Sequence, residues 1–218
     1  ITVNKGYKFQ KPLVLYNYLT SDLDSHGLNM RLDINLEDDT SLDVINISNE
    51  SSKSNFLNFR QKINIGKNSV LKNYSLDINP TSNIKYLYKD INLDQNSHLE
   101  YFILSKGSKF AKHDINCSLN NNHGSIALNG IIDLDNKKHH EIKTVINHNE
   151  ENCKSYQLIK SVLSENSKGI YQGKIYVNSK AQKTDGYQLS RALLLNDDVE
   201  FNAKPELEIY ADDVKCSH

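Results

Sequence analysis

A tripeptide with apolar ends and a central asparagine recurs at nearly constant spacing, and few folds accommodate that. Ile34-Asn35-Leu36 is followed 29 residues on by Ile63-Asn64-Ile65, and 28 residues later by Ile91-Asn92-Leu93. Each copy leads into the same kind of corner and apolar restart: Asp39-Thr40-Ser41-Leu42, Asn68-Ser69-Val70-Leu71 and Asn96-Ser97-His98-Leu99. A weaker fourth copy reads from Ile115-Asn116-Cys117 to Gly124-Ser125-Ile126, 24 residues after the third. Strand, corner and strand at a period in the twenties mark a solenoid in which each unit is one coil. Equivalent strands then stack about 4.8 Å apart with Ile, Leu and Val turned inward. A parallel β-helix is the expected architecture. The competing β-sandwich also uses short strands, but nothing in it requires a tripeptide to recur at a set distance.

The local pattern agrees. Leu32-Asp33-Ile34-Asn35-Leu36, Leu42-Asp43-Val44 and Ile175-Tyr176-Val177 alternate with period two, as half-buried strands do. Helical periodicity is nearly missing; Ser155 to Leu163 is the one stretch read as helical turns. The chain holds 28 Asn against 3 Pro and no Trp. Asn accepts left-handed backbone and so turns corners without Gly or Pro. An AT-rich genome would also enrich Asn, Lys, Ile and Ser.

The 218 residues are read as a single domain, 1–218, the core of a longer chain, since no initiator Met and no obvious end caps are present. With 26 basic and 27 acidic residues the net charge is −1, which argues against a dedicated nucleic-acid binder. No apolar run reaches the roughly 18 residues of a membrane span, and no signal-peptide pattern is visible. Three widely spaced cysteines make no disulfide framework and suit a reducing compartment.

The last third carries a specific resemblance. Tyr171-Gln172-Gly173-Lys174-Ile175-Tyr176-Val177, then Ala181 to Gln188, Leu193-Leu194-Leu195, and Lys204 through Lys215-Cys216-Ser217-His218 resemble the SufB/SufD family of the Suf iron–sulfur cluster assembly machinery. His148, Asn152-Cys153-Lys154-Ser155 and Gln157 fit the same family, and the Lys-Cys-Ser-His ending resembles its SufD branch more than its SufB branch. Gly186 stands where Ala is expected, and Asn196-Asp197-Asp198 replaces a small-residue turn; neither is expected to touch the site. The resemblance implies a right-handed parallel β-helix flanked by helical domains outside this chain. It implies a heterodimer with SufB and two copies of the ATPase SufC docked through a C-terminal helical domain. A nascent iron–sulfur cluster would form at the SufB–SufD interface. A role in iron acquisition and a reduced flavin in the complex are further implications. The setting would be a bacterial cytoplasm, or a plastid or apicoplast.

The residues themselves allow part of this. Leu207, Ile209 and Ala211 share a strand face, Asp212-Asp213 makes a corner, and Val214, Cys216 and His218 share a face of the next strand. A thiolate and an imidazole two residues apart on a strand point the same way, and both ligate iron or zinc. An imidazole in place of a thiolate makes a cluster site less negative and pH-sensitive. His218 is therefore the candidate metal ligand, and Cys216 either a second cluster contact or an interface residue. With no Cys-x-x-Cys pair, a site completed by another chain fits better than a self-contained one. Cys117 reads as core or corner, Cys153 as turn packing, and His139, His140 and His148 as exposed polar residues. Asp38-Asp39, Asp197-Asp198 and Asp212-Asp213 fall at expected corners, and Lys204 and Lys215 read as solvated. No phosphate-binding loop is present, so nucleotide chemistry belongs to a partner. The expected function is a non-catalytic scaffold. A SufB-like sulfur-accepting subunit, a carbohydrate-active or adhesive β-helix and a plain solenoid are the rival readings.

Overall fold

A computed structural model describes residues 1–20, 25–50 and 55–218, and the described chain contains strands and turns without a helix. In chain order the strands are β1 (Thr2–Val3), β2 (Leu13–Leu19), β3 (Gly27–Leu36), β4 (Ser41–Glu50), β5 (Phe56–Ile65), β6 (Val70–Asp77), β7 (Ile84–Leu93) and β8 (His98–Ser105). They continue with β9 (Phe110–Leu119), β10 (Ser125–Leu134), β11 (His139–His148), β12 (Lys154–Leu163), β13 (Lys168–Val177), β14 (Thr184–Leu194), β15 (Glu200–Ile209) and β16 (Val214–Ser217). Odd strands form one eight-stranded sheet and even strands another, each in coil order. The pairing between successive coils is parallel throughout, from β3 with β5 to β13 with β15. The chain is thus a parallel β-solenoid with its core between the two sheets.

The repeat sets the register. Ile34 opposes Ile63, and Ile63 opposes Ile91, so the tripeptides lie directly over one another. The fourth copy differs from expectation: Ile91 opposes Cys117, and Ile115 opposes Lys89. The true equivalent is Cys117-Ser118-Leu119, two residues downstream. A one-residue slip would expose the core face, whereas a two-residue slip keeps the same face inward and leaves the apolar pattern unchanged. The column continues through Ile146, Ile175 and Leu207. Burying each such aliphatic side chain contributes about 1.5–3 kcal/mol.

The corners explain the asparagines. Asp39, Asn68, Asn96, His123, Asn152 and Lys183 take positive φ at equivalent turns, and Asn136 and Asn166 do so on the opposite side. Among the described residues five of the eleven non-glycine positions with positive φ are Asn, so asparagine is used here for its left-handed tolerance. Asparagines also stack outside the barrel. The Asn64 amide donates to Asn35 Oδ1 at 2.7 Å, and Asn149 donates to Asn120 Oδ1 at 2.9 Å.

Ser155 to Leu163 is not helical; it lies within strand β12. Its inward residues are Ser155, Gln157, Ile159, Ser161 and Leu163, and the buried polar members mask the period-two pattern. The interior as a whole is less apolar than expected, with Asp77, Lys85, Lys89, His113, His140 and His148 all buried.

Because Asn96 sits at φ 54°, Asn96→Val should lower stability by about 1–2 kcal/mol more than Asn96→Gly does, read by urea denaturation. Equal losses would show that the corner conformation is not what selects Asn.

Candidate functional site

The C-terminal rung is built on one inward column. Leu42, Leu71, Leu99, Ile126, Ser155, Gly186 and Cys216 lie in register across the even sheet. Large side chains give way to small ones toward the end, and Cys216 closes the column. Gly186 does touch the site, contrary to expectation. A Cβ built there would lie 3.2 Å from Cys216 Sγ and 3.3 Å from Ile175, so the missing methyl is the space the thiol occupies. Val214 and Cys216 pack against Ile175, Val177, Ala181 and Ala211, as the shared strand face predicts. Leu207 joins them, whereas Ile209 stays 39% exposed.

β16 pairs only with Thr184–Tyr187 of β14. Continuing that register by one residue sets His218 opposite Gln188, on the same side as Cys216. His218 is exposed, and Cys216 is half-buried. Burial pushes the Cys216 thiol up; a hydrogen bond from the Gly186 backbone counters this, and Asp185 adds to it. The thiol is therefore protonated near neutral pH and ligates metal only by releasing that proton. Among the described residues no group of three or more His, Cys, Asp or Glu side chains is placed to hold a metal ion.

The other two cysteines are structural. Cys117 occupies the isoleucine column and is fully buried, and burial raises its thiol strongly. Cys153 sits in the corner position that Thr40, Ser69, Ser97 and Thr184 fill elsewhere. Its Sγ lies 3.3 Å from the Asn121 carbonyl, as Ser97 Oγ lies 2.7 Å from Asp94 O and Thr184 Oγ1 2.8 Å from Ala181 O.

The expectation of exposed histidines holds for none of the three: His139 is half-buried on the outer face and the other two are interior. His139 faces outward, 3.1 Å from Glu141, while the adjacent His140 points inward, so strand alternation separates the pair as expected. His140 and His148 are fully buried. His148 Nε2 lies 2.9 Å from Ser155 Oγ, and burial lowers its pKa to about 4. The other residues that carried the resemblance are interior too. The Thr144 hydroxyl donates to Gln157 Oε1 at 2.6 Å, and the Tyr171 hydroxyl lies 3.3 Å from Gln188 Oε1. A Cβ on Gly173 would come within 2.2 Å of Gln188 Oε1 and 2.3 Å of Tyr171 Oη, so only glycine fits. These residues form a polar brace across the core. The acidic pairs lie at corners or bends as expected, and Lys204 is an exposed partner of Glu206 at 2.6 Å.

The fold and this rung define a β-solenoid whose strand β16 carries a half-buried thiol, with an exposed imidazole two residues further on. A family match covers residues 18–218: SUF system FeS cluster assembly, SufBD core domain. The chain belongs to that family. It is similar to the iron-sulfur cluster assembly protein SufD of Escherichia coli K12, 30% identical over 225 residues, covering all of this chain and 52% of that protein. It is similar to the chloroplastic protein ABCI7 of Arabidopsis thaliana, 26% identical over 226 residues and 48% of that protein. A SufBD family protein of Synechocystis is 30% identical over 112 residues. The chain spans about half the length of the first two. Among the described residues no helix is long and apolar enough to cross a membrane.

Two outcomes follow. Iodoacetamide should modify Cys216 alone in the folded protein, with Cys117 and Cys153 reacting only on unfolding; mass spectrometry of native and urea-treated samples decides this. His148 is held below its unfolded pKa, so the unfolded chain binds more protons between about pH 6.5 and pH 4. Stability is then fully present above pH 6.5 and falls as pH drops toward 4. Urea midpoints at pH 7 and pH 4.5 should separate by less in His148→Gln than in the unsubstituted chain.

Proposed function

We propose that this chain is the β-solenoid core of a non-catalytic scaffold subunit in iron–sulfur cluster assembly. In this reading it works as SufD does, paired with a SufB-type β-solenoid across its C-terminal rung. The nascent cluster is cargo, met by His218 and, behind it, Cys216. The observation that carries the reading is the half-made site: one half-buried thiol on β16 and one exposed imidazole two residues further on, with no third ligand among the described residues. A cluster met there takes its remaining ligands from outside the described residues.

The surroundings support a partner there. Leu193, Leu194, Leu195 and Tyr210 are 49–59% exposed near β15 and β16. Exposed apolar side chains grouped in this way are what a protein interface covers. The SufB-like sulfur-accepting role has less support, because Cys117 and Cys153 are buried with raised pKa values. The proposal places SufC docking, and the ATP cycle that rearranges the pair, in parts of the protein beyond this chain. Iron acquisition would share the same ligands. A reduced flavin would belong to the assembled complex. A bacterial cytoplasm or a plastid suits this reading, since one similar protein comes from Escherichia coli and another is chloroplastic.

The test uses the full-length protein co-expressed with SufB and SufC and purified without oxygen. His218→Ala should leave the complex assembled and lower its iron and acid-labile sulfide severalfold; Cys216→Ser should lower them less. Unchanged iron and sulfide in His218→Ala would remove the ligand assignment. Failure of the unsubstituted protein to bind those partners would remove the pairing itself.

A further inference from the structure

The N-terminal half of the solenoid carries a second constellation, independent of the terminal rung. Asp77 and Lys85 form a buried ion pair, 2.9 Å between Oδ1 and Nζ, and the Ser108 hydroxyl donates to Asp77 Oδ2 at 2.9 Å. Burial alone would raise the Asp77 carboxyl, but Lys85 and these hydrogen bonds hold it low. The charge of Asp77 is thus already matched.

A histidine relay lies beside this pair. His140 Nε2 is 2.7 Å from the Ser108 carbonyl, which only accepts, so that nitrogen carries the proton. His140 Nδ1 must then accept from the Ser105 hydroxyl, 2.8 Å away. Ser105 Oγ in turn accepts from His113 Nε2 at 3.2 Å. The sequence of donors leaves His113 Nδ1 buried and without a partner.

Lys89 neighbours this bare nitrogen. It is 2% exposed, with Nζ 4.6 Å from the Tyr101 ring centroid, and it makes no hydrogen bond or ion pair among the described residues. Gln61 lies directly across from it on β5, with its Nε2 buried and unpartnered. Gln61, Lys89 and His113 line one cavity of about 30 Å³ between the sheets, walled by Leu57, Phe59 and Leu87. That is room for about two waters. Burial lowers the Lys89 amine to about 7, and burial together with the nearby Lys89, His140 and Lys85 lowers His113 further still. The groups facing Lys89 are His113 from β9, Asp77 from β6, Tyr101 from β8 and Lys85 on its own strand, with His140 behind His113. Since Asp77 is matched by Lys85, no free carboxylate among them balances a charged Lys89. The unpartnered Gln61 amide and the Lys89 amine, with no free carboxylate among the groups named, call for an acceptor.

We propose that this cavity binds one small inorganic monoanion of halide size, held by Lys89 Nζ and Gln61 Nε2, with proton uptake at the site. The anion draws Lys89 into its ammonium form. His113 stays neutral near pH 7 with its Nε2 on Ser105, so Lys89 carries the proton taken up. Binding therefore strengthens as pH falls.

Bromide is the probe. Thermal unfolding of the full-length protein is followed in sodium bromide and in sodium gluconate, whose anion is too large to enter, at matched ionic strength. Bromide should raise Tm, with an apparent affinity about tenfold tighter at pH 6 than at pH 8, as a group titrating near 7 requires. Lys89→Met removes the uncompensated amine while keeping the bulk, so it should fold and lose the bromide increment. Gln61→Leu should weaken the increment and serves if Lys89→Met does not fold. Bromide-soaked crystals should show anomalous scattering between Lys89 and Gln61. An increment that is absent at pH 6, or that survives in both variants, overturns the proposal, as does a cavity holding water alone.

Discussion

Everything in this molecule depends on strands of successive coils pairing in parallel register. Each coil must return to the same height before it can pair, and the corners make that return possible. Left-handed residues at Asp39, Asn68, Asn96, His123, Asn152 and Lys183 reverse the chain within two or three positions. Their backbone is then tied to the next coil, as when Val70 N–H donates to Thr40 O and Lys154 N–H donates to Gly124 O. Once corner and ladder agree, every inward side chain stands directly over its equivalent. Position in the column, more than residue type, then decides what a side chain does.

The three cysteines illustrate this. Cys117 stands in an isoleucine column and behaves as a small apolar residue. Cys153 stands in a column of hydroxyl residues and caps a corner as they do. Cys216 stands at the end of a column that narrows through Ser155 and Gly186, where half-burial leaves its thiol within reach of a neighbour. One residue type has three surroundings.

The interior also carries more polarity than a solenoid needs for stability. A buried ion pair gains little over apolar packing once desolvation is counted, and removing one partner is expensive. What Asp77–Lys85, the histidine relay and the Thr144–Gln157–Tyr171–Gln188 brace provide is discrimination. An apolar column tolerates a two-residue slip, but these groups find their partners in one register only. The two-residue displacement of the fourth repeat shows how little the apolar pattern discriminates by itself.

The sequence alone determined the architecture. A repeat of 28 or 29 residues, period-two alternation and abundant Asn admit stacked coils and little else, and the family pattern near the C-terminus was legible in the same residues. The sequence also placed Cys216 on one face with Val214, and read Cys117 as core and Cys153 as turn packing. It misread Ser155 to Leu163, because buried Ser and Gln hide a strand's periodicity. It misread His140 and His148 as exposed for the same reason: in isolation a polar residue looks like surface. Tertiary structure decided what depends on neighbours from other coils. It brought Gly186 against Cys216, and left His113 Nδ1 buried without a partner beside a buried Lys89. Those facts arise from residues about 30 or more positions apart meeting across a rung, and no local pattern encodes which side chain stands above which.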